Sequence, residues 1–335
     1  MDMDMIRTSL GLKPADKQWS VPVKAGKQLS ATRVFEAIGH HLYTLYLFSA
    51  TDIDCIIATS MTFGFLNAAI APALSMGPAL TLLGMIKAAP LMLVQVWGVL
   101  LLTEFHNQRH PESTAEDMIN KPWRPVPSGR VTTQQVNMLL YLIYPFNILV
   151  SSMVGGLVPC LTTSVFAVWY NEFGGAADPF LKGWHNGVGI TGFWAGTLEV
   201  ATGSSIFSGD GTAAVWLAIL MAMVTTTSQM QDFRDMDGDA AAGRKTVPLV
   251  LGDMTSRVLS ALSVLGWTAT TCWFWEVSWQ QALLPAVAAL ALVGNLFRDR
   301  TRKGDATTWK LWSPWVFSLF LMPFLKHYHF QGSLI

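Results

Sequence analysis

Residues 212–239 read TAAVWLAILMAMVTTTSQMQDFRDMDGD: twenty positions without a formal charge, then four aspartates within eight. About 20 mostly apolar residues carry an α-helix across the hydrocarbon of a bilayer, so this stretch reads as a membrane span that ends in a dense patch of carboxylate. Apolar runs of the same kind recur on both sides of it. Spans are expected near 51–73, 80–106, 131–152, 154–171, 186–207, 212–231, 256–277, 280–297 and 310–326. The stretch 37–50, rich in Tyr and His and followed at once by Asp52 and Asp54, reads as an interfacial helix. Lipid gives the backbone no hydrogen-bonding partner, and the runs lack the strict alternation of a barrel. The expected fold is therefore all-α, a polytopic membrane protein of about nine transmembrane helices.

Composition agrees. Of 335 residues, 51% are hydrophobic and 13% charged, against about 25% charged in a soluble domain. Acidic and basic residues balance at 22 each, which gives no global field to recruit nucleic acid. Cys55, Cys160 and Cys272 stand far apart in apolar runs, with no zinc spacing and no disulfide framework. Residues 1–33 read as a polar tail, 34–328 as the membrane domain and 329–335 as a second tail. The sequence shows no sign of an obligate protein partner; the lipid bilayer is the expected surrounding.

Charge gathers in two places that matter, half-sites at 104–130 and 229–248, after the second and sixth expected spans. An even number of crossings separates them, so they share one face. Arg109, Lys121, Arg124 and Arg130, with Arg244, Lys245 and Arg257, place that face in the cytosol by the positive-inside tendency, and the expected membrane is the endoplasmic reticulum. Two like clusters four spans apart suggest a weak internal repeat, hence two bundles around a central cavity.

In the second cluster, Asp232, Asp235 and Asp239 would lie at i, i+3 and i+7 of a helix, three carboxylates on one face. Like charges so close are costly without a cation. Mg²⁺ is the natural one, because it takes one or two carboxylates together with waters and phosphate oxygens. Arg244 and Lys245 follow within reach of a diphosphate, Arg through its planar fork. The plainer reading is a solvated helix end whose acids pair with Arg234 and Arg244. In the first cluster Asn107 ends the span. Glu112, Glu116 and Asp117 supply oxygens for metal, and Lys121, Arg124 and Arg130 supply cations for diphosphate. Ser113 to Glu116 also reads as a capping box behind Pro111, which competes for Glu112 and Glu116.

These residues resemble a family. Asn107-Gln108, Glu116-Asp117, Asn120-Lys121-Pro122 and Arg124 to Gly129, with Asp232 to Asp239 and Gly243 to Pro248, resemble the two signatures of the UbiA superfamily of intramembrane prenyltransferases. The second signature matches the family's DxxxD at Asp235 and Asp239. The first departs from the usual NxxxDxxxD, with Pro111 and Ala115 at the acidic positions, and in this it looks closest to the fungal UbiA-type terpene cyclases. The resemblance implies an isoprenyl diphosphate substrate, Mg²⁺ as cofactor and a cavity inside the bundle. It assigns catalytic roles to Asn107, Asp117, Asp232, Asp235 and Asp239.

Ionising an allylic diphosphate separates an anion from a carbocation, and the aromatic candidates to face the cation include Trp169, Trp194, Trp216, Trp312 and Trp315. The expected function is a membrane-bound terpene cyclase of secondary metabolism acting on farnesyl or geranylgeranyl diphosphate. The alternative is a prenyltransferase that passes the same group to an aromatic or quinone acceptor, for which Asn171, Glu172, His185, Asn186 and Glu199 are polar candidates within the apolar runs. A transporter gated by the acidic clusters fits less well, because the clusters lie at one face and not at the midplane.

Overall fold

The computed structural model describes residues 31–241 and 243–327. The tails expected over 1–33 and 329–335 lie outside the described residues, apart from the first tail's last three positions. Among the described residues there are helices and no strands.

The helices, in chain order, are α1 (Ala31–Ser49), α2 (Thr59–Ala68), α3 (Leu82–Arg109), α4 (Pro111–Asn120), α5 (Thr133–Val154), α6 (Leu157–Glu172) and α7 (Pro179–Thr202). They continue as α8 (Thr212–Thr227), α9 (Met236–Ala241), α10 (Val247–Leu251), α11 (Asp253–Phe274), α12 (Trp279–Arg298) and α13 (Arg302–His327). Every expected span meets a helix, but the first is interrupted. Residues 53–58 form a π-helical turn ahead of α2, and Ala71–Leu74 closes the segment as a 3₁₀ turn. Four helical stretches are both long and apolar enough to cross a membrane: Leu82–Arg109, Thr133–Val154, Trp279–Arg298 and the run Thr212–Ala240, which takes in α8, a 3₁₀ segment and most of α9. The other long helices carry polar groups within their length, Lys182 and His185 in α7 and Arg257 in α11 among them.

Helix ends follow local chemistry. Asp178 caps α7, its carboxylate accepting from the amides of Phe180 and Leu181 at 2.9 Å with Pro179 in the first turn. Ser278 and Gln281 form a reciprocal capping box on α12. The box expected at Ser113–Glu116 does not form. Pro111 starts α4, and the Thr114 hydroxyl donates to the carbonyls of Gln108 and His110 at 3.0 and 2.8 Å. Glycines at 155 and 156, with φ of +106° and +81°, turn α5 into α6. A Cβ on Gly156 would sit 3.1 Å from the Gly196 carbonyl oxygen of α7. Gly156→Ala is therefore expected to cost about 1–3 kcal/mol, from left-handed strain and a close helix approach together, read as a lower melting midpoint in detergent.

The chain separates into two units. One holds the described residues up to Ile53 and Leu100–Phe146; the other holds Asp54–Val99 and Asn147 onward. In the first, Phe48 packs edge-on against Phe105 and the Gln108 amide donates to the Phe48 carbonyl at 2.9 Å. The second unit contains a core of fully buried aromatics, with Trp194 against Phe63 and Phe320 and Trp216 against Trp275. Four indoles of this unit donate to threonine hydroxyls: Trp194 to Thr59 at 2.9 Å, Trp312 to Thr227 at 3.0 Å, Trp315 to Thr268 at 2.9 Å and the less buried Trp267 to Thr226 at 2.8 Å. Trp194, Trp216, Trp312 and Trp315 all have no exposed surface. They fill the core and present no face to a void.

Candidate active site

The acidic stretch does not continue the helix before it. Thr225, Thr226 and Thr227 bond back to the carbonyls of Met221, Ala222 and Met223, a pattern that bends helices. At Ser228 the chain tightens into a 3₁₀ segment that runs to Asp235, and α-helix resumes only at Met236. This corrects the single helical face expected for Asp232, Asp235 and Asp239. In a 3₁₀ helix residues three apart eclipse, so Asp232 and Asp235 line up roughly 6 Å apart along the axis, and Asp239 belongs to another helix.

Each aspartate has its own basic partner. The Asp232 carboxylate accepts from Lys182 Nζ at 2.7 Å, with both side chains largely buried. Asp235 lies 3.2 Å from its neighbour Arg234. Asp239 is buried and lies 3.7 Å from Arg244 Nη1. The plainer sequence reading foresaw the last two pairs. Gly243, at φ +68°, ends α9 and leaves Arg244 and Lys245 exposed in the turn that follows.

Lys182 is the residue that sequence reading missed. It stands in the first turn of α7, outside both charge clusters, ahead of the span expected over 186–207. The only signal was a lone cation opening an apolar run. Burial works against its ammonium, but Asp232, Tyr170 and Asp239 together outweigh burial and hold it above the ordinary lysine value. The pair lines a cavity of about 300 Å³ together with Asn186, Ser228 and Gln231 and with Val247, Leu251 and Leu259.

The first cluster is built differently. Arg124 is 3% exposed and surrounded by acids. Its Nη1 donates to Asp117 at 2.9 Å and its Nη2 to the Thr51 hydroxyl at 2.8 Å, with Glu104 at 3.4 Å and Asp52 at 3.6 Å. Burial works against its charge, but Glu104, Asp117 and Asp52 together raise its pKa further. Arg130 donates to the Thr44 hydroxyl at 2.7 Å and lies over the Tyr43 ring, which ties it to α1. Lys121 is half-buried at the end of α4, its amide on the Asp117 carbonyl. Asn107 is half-buried in the last turn of α3, Glu116 is half-buried and Glu112 exposed. Among the described residues no three His, Cys, Asp or Glu side chains converge as a metal cage, so neither expected metal set, Glu112, Glu116 and Asp117 or Asp232, Asp235 and Asp239, is assembled as one.

The polar candidates for an acceptor also resolve. Glu199 accepts from the Ser205 hydroxyl and the Ile206 amide at 3.1 and 2.9 Å, which makes it the brace of the turn after α7. Asn171 bonds its own helix at the Ala167 carbonyl. His185 is ringed by Phe166, Trp169, Tyr170 and Trp184. Asn186 alone of this set lines the cavity.

Residues 60–315 match the model of the UbiA prenyltransferase family. The chain belongs to that family. It is an all-α polytopic membrane protein, and UbiA structures share its fold. An apo UbiA homologue from Aeropyrum pernix matches with TM-score 0.58 at 17% identity, over 79% of this chain and 97% of that one. A UbiA homologue from Archaeoglobus fulgidus, bound to GPP and Mg²⁺, matches with TM-score 0.56 at 10% identity, over 81% and 98%. Among sequence relatives, the fumagillin beta-trans-bergamotene synthase of Aspergillus fumigatus is 30% identical over 84% of this chain and 92% of its own length. A diterpene cyclase of Hericium erinaceus is 30% identical over 62% and 66%, and a polyprenyl transferase of the same fungus 29% identical over 71% and 78%.

Proposed function

We propose that this UbiA-family chain is a membrane terpene cyclase that ionises farnesyl or geranylgeranyl diphosphate and closes the resulting carbocation on itself. The observation that carries the reading is the buried Lys182–Asp232 pair, which lines a cavity of mixed polar and apolar residues. A preplaced ammonium is suited to the negative charge that grows on a departing diphosphate. The carbon–oxygen bond breaks with its electron pair leaving on the diphosphate, a double bond of the same chain attacks the allylic cation, and transfer of a proton from the cyclised cation to the released diphosphate gives a hydrocarbon. Val247, Leu251 and Leu259 supply the apolar part of the lining, beside the hydroxyls of Thr225, Thr226, Ser228 and Ser263. Arg244 and Lys245, exposed beyond Asp239, add cationic reach for the same anion.

The donor chemistry fits Mg²⁺ in a particular way. Asp232 is engaged with Lys182 and Asp239 lies beside Arg244, so carboxylate oxygens are offered singly and not as a closed set. That suits an ion that keeps several waters and takes its remaining oxygens from substrate phosphate. When bound, it supplies charge neutralisation of the leaving group. Asp235, on the same line as Asp232 and held only by its neighbour's side chain among the contacts described, is the first residue we assign to it.

The cyclase names among the relatives favour ring closure over transfer, and the polyprenyl transferase keeps transfer to an aromatic or quinone acceptor as the second reading. The membrane is proposed to be the endoplasmic reticulum, with both charged clusters toward the cytosol. Membranes containing the chain, given geranyl, farnesyl and geranylgeranyl diphosphates with Mg²⁺ and no acceptor, are expected to release a cyclic hydrocarbon that EDTA abolishes. If no hydrocarbon forms, and consumption of diphosphate begins only when an aromatic acceptor is added, the cyclase reading gives way to transfer.

A further inference from the structure

The 3₁₀ segment Ser228–Asp235 carries two of the aspartates, yet 3₁₀ hydrogen bonds are poorly aligned and hold such a segment weakly. Its orientation is therefore set from outside. Lys182 grips it at Asp232 and Ser260 accepts from the Gln229 amide at 3.0 Å. The Asn186 amide reaches Ser228 at 3.5 Å, Met230 is fully buried, and a further grip is at Phe233, between Asp232 and Arg234, where Arg257 Cζ lies 4.3 Å from the ring centroid. Arg257 is 1% exposed and makes four hydrogen bonds. Its Nε donates to Asp253 at 2.7 Å, Nη1 to Asp305 at 2.7 Å and to the Leu296 carbonyl at 2.8 Å, and Nη2 to Asp305 at 2.8 Å. Asp253 is itself held by Arg300 at 2.7 Å. Four of the five N–H donors at the edge of the guanidinium are thus engaged, and the cation sits over the ring of Phe233.

We infer that Arg257 is a positioning residue for the diphosphate site. Three helices, α11, α12 and α13, immobilise its guanidinium as a flat plate. The ring of Phe233 seats on that plate and so fixes the rotation of the 3₁₀ segment about its axis. In a helix of three residues per turn, Phe233 projects about 120° from the line shared by Asp232 and Asp235. Seating the ring thus aims both carboxylates. The inference rests on the proposed function in placing the diphosphate at this segment.

The test is binding, not turnover. Full-length protein in nanodiscs is titrated, with Mg²⁺ present, with a thiolo-diphosphate analogue of farnesyl diphosphate that ionises too slowly to react. Phe233→Leu keeps an apolar group of similar bulk but removes the π face. It is expected to raise the Kd about tenfold, the scale of a desolvated cation–π contact. Phe233→Tyr, which keeps the face, should stay within about twofold, and the ligand-free melting midpoint of Phe233→Leu within about 2 °C of wild type. Arg257→Lys, which keeps the charge but loses the plate, should bind as weakly as Phe233→Leu. Wild-type affinity in Phe233→Leu, or equal weakening in the Leu and Tyr variants, overturns the inference. Asp235→Ala separates the two claims: if it binds the analogue as wild type does, the diphosphate reading of this segment falls and takes the positioning role with it, whereas loss of binding there beside normal binding in Phe233→Leu removes the positioning role alone.

Discussion

Lys182→Met is expected to lower diphosphate consumption by about 10²–10³-fold, the usual effect of deleting one preplaced donor to a developing anion. Part of any loss could come from folding, because the single change strands Asp232 in a buried position, and breaking one partner of a buried pair costs about 3–5 kcal/mol. The double change Lys182→Met with Asp232→Asn separates the two effects. Replacing both partners restores a neutral pair of similar volume, which is often harmless to stability. The double variant should therefore melt close to wild type and remain inactive. Kinetics on detergent-solubilised protein beside thermal melting checks both halves. Recovery of turnover in the double variant would show that Lys182 serves only to neutralise Asp232, and the ammonium would lose its place in the chemistry.

Arg124→Ala is expected to remove folded protein from the membrane and not merely to raise KM. Its guanidinium is buried against Asp117, with Glu104 and Asp52 within 3.6 Å. Deleting the guanidinium leaves Asp117 and Glu104 buried without their pairing cation, beside the partly exposed Asp52, at about 3–5 kcal/mol in a protein whose whole stability is of the order of 5–15 kcal/mol. Fluorescence-detected size exclusion should show aggregate where wild type gives a sharp peak. Arg124→Lys keeps the charge but loses the fork and should fall between the two. A folded Arg124→Ala protein with only a raised KM would return Arg124 to the role the sequence suggested for it, a ligand of diphosphate.

The two largest expected effects divide along what the sequence could and could not say. Apolar runs of 20 residues are legible one by one, because lipid imposes their length, and the helical, membrane-embedded fold followed from them. The acidic stretch was legible as chemistry but not as geometry. A helical wheel places Asp232, Asp235 and Asp239 together, and only the three consecutive threonines ahead of them, bonding back into their own helix, hint that the wheel breaks at Ser228. Lys182 was invisible for another reason. Its partner lies 50 positions away, and no local pattern announces a pairing made by packing. Arg124 misled in the opposite sense. Basic residues beside acids read equally well as a ligand site or as an internal salt bridge, and the choice depends on burial, which composition does not report.

The tryptophan–threonine bonds of the second unit bear on how its helices find their alignment. Between helices surrounded by lipid there is little hydrophobic drive to choose one sliding position over another, since hydrocarbon lies on every side. Trp312 and Trp315 reach from α13 to Thr227 at the end of α8 and to Thr268 in α11. A slip of α13 by one turn, about 5.4 Å, would break both bonds together and leave two indole donors in a medium that cannot accept from them. The pair therefore acts as a key that admits α13 at one depth only, and Trp194 on Thr59 does the same for α7 against α2. Because α13 also carries Asp305, one of the two acids that hold Arg257, the depth set among buried indoles near the middle of the helix is carried to its charged end.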